Sequence, residues 1–569
     1  MPLTTSALQI GRSALLSYQA ALQVVGNNIA NAGNASYTRQ STGLAAIPPS
    51  SGTTLQIGNG VGVIAIQRNV SDAVESRLRQ SRSDRASAES EDAALSRVES
   101  ILNPLGDSNL AGELQAFFDS FAGLQNNPEN VAARRLVLSA GARLAQTIRQ
   151  TRADLLAARQ QANREIEFSV GQANQLAAQV AELNVRIVTA ESAAQSPAAA
   201  LRDQRDDLLR QLSEIVGIST REQPGGAVNV YIGNEPLVFF GTSRGLTTTT
   251  ESVGAGRFDA VVRFASNNGR VAIGSGRLAG LTAARDQHVD TQIERLDRFA
   301  AVLISEVNRV HSQGQGLSGF TSLTAGYPVG DPASALTSAA AGLPFAPRSG
   351  TFYIDVRNTA TGTVVRTAVH VDADGIGGDT TLNSLAADIS SAVDNLTATV
   401  QADGTLSLSA ADGFTFQFAS DSSNVLASLG LNAYFSGRDA SDIAVSADIA
   451  SAPERLAASV SGLPGDGANA GRIAALIESP TTSLGGASLL AFHQGSVGIQ
   501  AVSAAASRSG LQAADAILSA LVAQREAVSG VNLDEEAVKL VTYQRAYEGA
   551  ARYLSVVDEL LRTLLGLVG

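Results

Sequence analysis

The residues able to do chemistry are few and scattered. The four histidines, His288, His311, His370 and His493, lie far apart along the chain with no metal-ligand spacing around them, so they read as core or solvated side chains. Asp372-Ala373-Asp374-Gly375 opens like a calcium loop, but the position that should supply the bidentate carboxylate holds Asn383. A Gly/Asp turn between a strand and a helix is therefore expected there. Cysteine is absent, which removes disulfides, thiolate metal sites and cysteine nucleophiles together. No Gly-rich phosphate loop, nucleophile elbow or zinc-protease helix occurs. The sequence thus gives no expectation of a catalytic, cofactor or metal site, and the chain reads as something other than an enzyme.

Composition points the same way. At 569 residues several domains are expected, and an apolar share of 44% supports a sizeable core. Aromatics are only 5% and Trp is absent, which suits closely packed helices better than a ring-lined ligand pocket. The net charge is −12, the single lysine is Lys539, and no dense basic cluster occurs, so nucleic acid is not expected as a partner. The N-terminus has neither a charged n-region nor a continuous apolar stretch, so no cleaved signal peptide is expected. No apolar run approaches the roughly 20 residues that span a bilayer, so no membrane insertion is expected either.

The elements that must position any functional surface are mainly helical. The first 31 residues read as one helix, capped at Thr4 or Thr5, with Leu8, Gly11, Leu15, Tyr18, Leu22, Val25 and Ile29 in unbroken three-four alternation, the seam of a coiled coil. It meets Gly26-Asn27-Asn28-Ile29-Ala30-Asn31-Ala32-Gly33-Asn34, which punctuates a helix. Those amides serve either as a plain helix stop or as groups that bind neighbouring backbone where subunits meet. Short strands follow around Val61–Ile66, and Ser71–Val216 reads as a helical bundle broken at Asn103-Pro104, Asn127-Pro128 and Ser196-Pro197. Pro224-Gly225-Gly226 opens a β stretch, helix returns from Leu281 to His311, and a second β block follows. That block holds a short helix at Leu382–Val393, and Leu406 and Leu408, Asp412-Gly413, then Phe414, Phe416 and Phe418 give a hairpin signature. Helix resumes after Pro453, with a loop at Pro480–Gly486, and runs to the C-terminus. Its last stretch, capped by Asn532 and led by Asp534, Glu535 and Glu536, has a second seam at Leu540, Tyr543, Tyr547, Ala550, Leu554, Val557, Leu561, Leu564 and Val568. The fold expected is multidomain and mainly α, with terminal coiled-coil helices and a helical bundle, and with inserted β-rich domains.

Two stretches resemble a known family. Gly26-Asn27-Asn28-Ile29-Ala30-Asn31, then Tyr37 and Arg39-Gln40, is similar to the N-terminal signature of flagellar rod, hook and hook-associated proteins, although Ala35-Ser36 stands where the family usually has a Pro-Gly-like pair. Tyr543-Gln544-Arg545-Ala546-Tyr547 followed by Asp558-Glu559-Leu560-Leu561 resembles its C-terminal signature. Within this axial family, Ser529 to Glu536 and Arg202-Asp203-Gln204-Arg205-Asp206-Asp207-Leu208-Leu209 look like the hook–filament junction branch rather than hook protein. The resemblance covers about 1–310 and 455–569.

The resemblance implies a structural subunit, exported through the flagellar type III apparatus and built into the extracellular flagellum between hook and filament. Its partners would be copies of itself, the hook protein, the second hook–filament junction protein and an export chaperone on the C-terminal segment. The terminal helices would be disordered before assembly and packed in the axial core afterwards. The segments expected are a coiled-coil axial core from 1–50 and 530–569, a helical bundle from 51–220, 276–312 and 455–529, a small β subdomain at 221–275, and an outer β-rich insertion at 313–454. The assembly interface expected is Leu8, Leu15, Tyr18, Leu22, Val25, Ile29, Asn27, Asn28, Asn31 and Tyr37 with Leu540, Tyr543, Tyr547, Leu554, Val557, Leu561 and Leu564. The alternatives are a hook or distal rod protein, which the helical middle disfavours, or a secreted enzyme or adhesin using the same export route with 315–455 as its active module.

Overall fold

The computed structural model describes residues 2–48, 58–102, 109–194, 197–254 and 256–568. The breaks read at Asn103-Pro104 and Ser196 fall outside these residues, as do the side chains of Leu564 and Val568. The elements run, in order, α1 (Pro2–Ala30), β1 (Gln40–Ala46), β2 (Val61–Arg68), α2 (Asp72–Leu102), α3 (Leu110–Asn126), α4 (Val131–Ala194) and α5 (Ala199–Ile215). Then come β3 (Ser219–Glu222), β4 (Val228–Ile232), β5 (Glu235–Phe239), β6 (Thr242–Ser243), β7 (Leu246–Gly254), β8 (Arg257–Phe264), α6 (Arg277–Ala283) and α7 (Asp290–His311). The middle adds β9 (Ser322–Thr324), β10 (Gly350–Asn358), β11 (Val364–Val371), α8 (Leu382–Ala392), β12 (Leu396–Val400), β13 (Leu406–Ala410), β14 (Phe414–Ala419) and α9 (Val425–Leu429). The chain closes with β15 (Phe435–Ser436), β16 (Ala444–Val445), α10 (Ala447–Ala450), α11 (Ala468–Ala474), α12 (Leu489–Ser529) and α13 (Leu533–Val568). It is a multidomain, mainly helical chain with β elements inserted between the helices.

The chain divides into two compact units. The first comprises 1–94, 161–284 and 506–569. In its core, Ile166, Val170, Ala177 and Val180 of α4 and Leu209, Leu212 and Ile215 of α5 bury against Val228 and Val230 of β4, Leu237 of β5 and Phe264 of β8. Buried amides stitch the strands to α4: Asn184 donates to the Val228 carbonyl at 2.8 Å and accepts from the Val228 N–H at 3.0 Å. Asn174 makes the same pair of bonds with Leu246. Each amide thereby pairs a backbone N–H and a C=O at the start of a strand, groups that would be costly to bury unpaired.

The second unit comprises 95–160 and 285–505, and it holds two cores. One gathers Phe117, Phe118 and Phe121 of α3, α4 residues from Val137 to Leu155, the apolar face of α7, and Tyr434, Phe435, Ile443 and Ile449. Gly141 admits Tyr434 here, because a Cβ would sit 2.1 Å from its hydroxyl. The other core is a β-sandwich spanning Phe320–Leu431, with the sheet β11-β10-β14 facing β12-β13-β9 and α8.

Three local expectations differ from this. α1 begins at Pro2, so Thr4 and Thr5 are inside the helix and do not cap it; proline suits a first turn, where its missing N–H is an orphan anyway. β13 and β14 are not a hairpin: β13 pairs with β12 and β9, whereas β14 pairs with β10. The Asp412-Gly413 turn, with Gly413 at φ 81°, carries the chain from one sheet to the other. Leu406 and Leu408 therefore meet Phe416 and Phe418 across the sandwich core instead of along one sheet. Finally, Pro453 is followed by a 3-10 turn, the buried stretch Leu456–Ser459 and only then short α11; continuous helix starts at Leu489. Helix was expected from Pro453 onward, but this stretch is held as a loop by tertiary bonds such as Ser459 N–H to the Gln315 carbonyl and Ala457 N–H to His311.

Candidate assembly site at the paired terminal helices

In the first unit α1 and α13 pack antiparallel along their lengths. Gly11 receives Leu554, whose Cγ lies 2.5 Å from where a Cβ would be, and the rings of Tyr18 and Tyr543 sit 6.3 Å apart. Leu15, Tyr18 and Leu22 are half-buried and Val25 is buried, as are Leu540, Tyr543, Ala550, Leu554 and Leu561 (half-buried) and Val557 (buried) on α13. Leu8, Ile29 and Tyr547 are each 37% exposed, so they stand at the margin, with Ala546 turned inward in place of Tyr547.

α1 has a second buried face that the heptad reading leaves out. Ser17, Ala21, Val24 and Asn28 turn toward the β1–β2 hairpin, where the Ser17 hydroxyl donates to the Val61 carbonyl at 3.0 Å. The hairpin is antiparallel from Gln40↔Arg68 to Ala46↔Val61, with a bulge between Gly43 and Leu44.

Where α1 ends and α13 begins, the N-terminal signature and the acidic Ser529–Glu536 run close on each other as a polar latch. Asn28 is fully buried. Its Nδ2 donates to the Gln40 carbonyl at 2.8 Å and to Glu536 Oε2 at 2.9 Å, while its Oδ1 accepts from the Tyr37 hydroxyl at 2.8 Å and the Gln40 N–H at 3.0 Å. All four hydrogen-bonding positions of one amide are thereby used. Glu536, also fully buried, accepts further bonds from Arg39 Nε at 3.0 Å and Lys539 at 3.0 Å, and Arg39 reaches Glu535 as well. Burial alone would raise the Glu536 carboxyl; the bonds from Asn28, Lys539 and Arg39 outweigh it and hold the group below the ordinary glutamate value. Burial, with Asp203 and Glu536 nearby, pushes the Tyr37 hydroxyl up to about 12, so it stays a donor at any working pH. The backbone joins in: Arg39 N–H donates to the Ser529 carbonyl at 2.9 Å, and Arg525 bridges the Ala35 carbonyl and Glu75.

The remaining motif residues surround this latch. Asn31 donates to the Asn27 carbonyl at 2.9 Å and Asn34 Oδ1 accepts from the Ser36 N–H and hydroxyl, so these two finish the helix and turn the chain. Asn27 is exposed and, with Asn31, Tyr37 and Gln40, lines a groove of about 650 Å³ against Gln179 and Gln204. The Arg202–Leu209 stretch anchors the hairpin, because Asp203 and Asp206 both hold Arg68 and Asp203 accepts from the Thr38 N–H. Sequence reasoning placed Glu536 at a helix dipole and did not reach its burial against Asn28; only the acidic run next to a cap was visible. It also missed an outer apolar face of α13, where Val538, Val541, Tyr553, Val556 and Leu560 are exposed.

The helical domain of the flagellar hook-associated protein FlgK matches residues 95–325, and the C-terminal part of flagellar basal body rod FlgEFG proteins matches 522–567, which is α13 and the end of α12. Flagellar hook-associated protein 1 of Salmonella typhimurium is 33% identical over 322 residues, covering 55% of this chain and 58% of the relative. The protein of the same name from Escherichia coli is 31% identical over 323 residues with the same coverage, and that of Bacillus subtilis is 31% identical over 233 residues. The chain thus matches a little over half the length of the enterobacterial relatives. The flagellar hook junction protein FlgK from Burkholderia pseudomallei shares the fold, with a TM-score of 0.50 at 16% identity over 80% of this chain and 100% of that one. The helix α13, which pairs with α1, is thus the part of the chain that is similar to axial proteins of the bacterial flagellum. Within that class the chain is most similar, among these proteins, to those named hook-associated protein 1, over a little more than half of its length.

Proposed function

We propose that the chain is a structural subunit of the hook–filament junction that assembles through its terminal helices and carries out no catalysis. The observation that carries this reading is the α1–α13 pair: the two ends of the chain meet in one antiparallel seam, closed by a fully buried Asn28–Glu536 bond. The exposed apolar side chains Val538 and Val541, and Tyr553, Val556 and Leu560 beyond the intervening Arg545 and Arg552, support it, since exposed apolar surface on a helix suits contact with a neighbour. In this reading 1–50 and 530–569 enter the axial core, the partners are copies of the chain, the hook protein and the second junction protein, and a chaperone holds the C-terminal segment during export without a cleaved signal. Electron microscopy of a deletion strain tests it. Hooks without filaments, with flagellin shed into the medium, are expected; loss of the hook itself would assign the chain to the hook or distal rod instead.

A further inference from the structure

We infer that the register of the terminal helix pair is set by two pins, Asn28 against Glu536 and Gly11 against Leu554, and not by the heptad seams. A seam repeating every seven residues is satisfied again when one helix slides by seven, a shift of about 10 Å at 1.5 Å per residue. α13 has 36 residues against 29 in α1, so a slid pair keeps most of its apolar contact. The seams alone therefore leave several registers close in energy.

The pins remove that degeneracy. Slid one way, Glu536 stands opposite Ala21, which offers a buried carboxylate no hydrogen bond, and Asn28 lies past the start of α13. Slid the other way, Asn28 faces Tyr543, Leu554 meets Tyr18 instead of the space left by Gly11, and Glu536 loses Asn28 and Arg39 together. A buried, ionised group deprived of partners is costly in a way an exchanged leucine is not, and a single buried polar residue in a seam is the best-attested device for fixing register. Asn28 is satisfied in one register only, because its four bonds come from Tyr37, Gln40 and Glu536 at once.

The chain has no cysteine, so an introduced pair reports without background. Tyr543 lies beside Tyr18 and one turn from Leu22 on the facing seam, which makes Leu22→Cys with Tyr543→Cys a reporter of the native register. Leu22→Cys with Ala550→Cys reports the register shifted by one heptad. In the purified full chain the first pair should oxidise at least tenfold faster than the second. With both pins removed by Asn28→Leu, Glu536→Leu and Leu554→Ala, the two rates should come within about threefold of each other; a native pair still tenfold faster overturns the inference. If that background lowers the helicity measured by circular dichroism, Asn28→Ala with Leu554→Ala, which leaves the carboxylate in place, is read instead against the same two outcomes. The consequence for filaments rests on the proposed assembly role, because subunits in mixed registers cannot present one common surface. A shifted cross-link in cells that swim normally would keep the register assignment and remove the assembly reading.

Discussion

At the scale of single residues, the chain concentrates its buried polar groups at joints. Removing Asn28 leaves Glu536 buried with fewer partners and the Gln40 and Tyr37 groups unpaired, a loss of about 1–3 kcal/mol. Asn28→Ala should therefore speed amide exchange along Leu540–Leu561 by one to two orders of magnitude; unchanged protection there would show that the latch does not hold α13. The Glu536 carboxyl sits below its ordinary value of 4.5, so its contribution is complete above that pH and is lost as pH falls through the lower folded value. In the second unit the sign is shared but the group differs. Burial lowers the His311 imidazole to about 4, while its Nδ1 meets the Asn432 carbonyl at 2.8 Å and its Nε2 accepts from the Ala457 N–H at 3.0 Å. The unfolded chain takes up the proton first, so stability is whole above 6.5 and falls by about 3 kcal/mol as pH drops to 4. Calorimetry at pH 7 and pH 4.5 should show a lowered melting transition, and His311→Asn should flatten that difference; an equal drop in the variant would assign it to other groups.

At the scale of elements, α1 is a helix with two partners, and that is where reading a sequence meets its limit. The seam Leu15, Tyr18, Leu22 and Val25 was legible because a coiled coil leaves a three-four signature in the residues themselves. The second face was not, because Ser17 and Asn28 are polar and become buried only once β1 and β2 supply carbonyls to bond them. The latch was half legible: both motifs stood out, but Asn28 and Glu536 are 508 positions apart, and no local pattern announces a bond across that distance. The β13–β14 misreading has the same origin, since a turn signal fixes a change of direction and not the strand that waits on the other side. The two faces of α1 make different predictions. Gly11→Leu drives a side chain into Leu554 and should cost about 1–3 kcal/mol by overpacking, seen as faster exchange in α13 with β4 and β5 unchanged. Ser17→Val removes the bond to Val61 and should loosen the hairpin first. If Gly11→Leu leaves α13 as protected as before, the Gly11–Leu554 contact is not part of the pairing.

At the scale of the whole molecule, the question is which part of the chain assembly can do without. The sandwich core runs from Phe320 to Leu431, and the next residues, Tyr434, Phe435, Ile443 and Ile449, belong to the other core beside Phe117 and Phe121. The two ends of the sandwich segment meet: Asn432 donates to the Gly314 carbonyl at 3.1 Å, and Leu317 N–H donates to the Glu454 carbonyl at 2.6 Å. A cut that removes 319–431 and joins the ends with a few Gly and Ser residues therefore spans a short gap and leaves the helical core with its aromatic cluster and the His311 bridge to Ala457. Closing a short loop in place of a long one costs little entropy. A wider cut, 313–454, takes Tyr434 and its bond to the Val137 carbonyl at 2.8 Å, together with Phe435 and Ile449, out of a close-packed interior. Losing that many buried aromatic and aliphatic side chains exceeds the whole stability of an ordinary domain, which is about 5–15 kcal/mol. The narrow deletion should be exported, melt near the full-length chain's helical transition and restore filaments. The wide one should be degraded. Both are measured by secretion, thermal melting and swimming in a deletion strain, and a narrow deletion that is exported and folded yet leaves hooks bare would show that the sandwich itself takes part in building the junction.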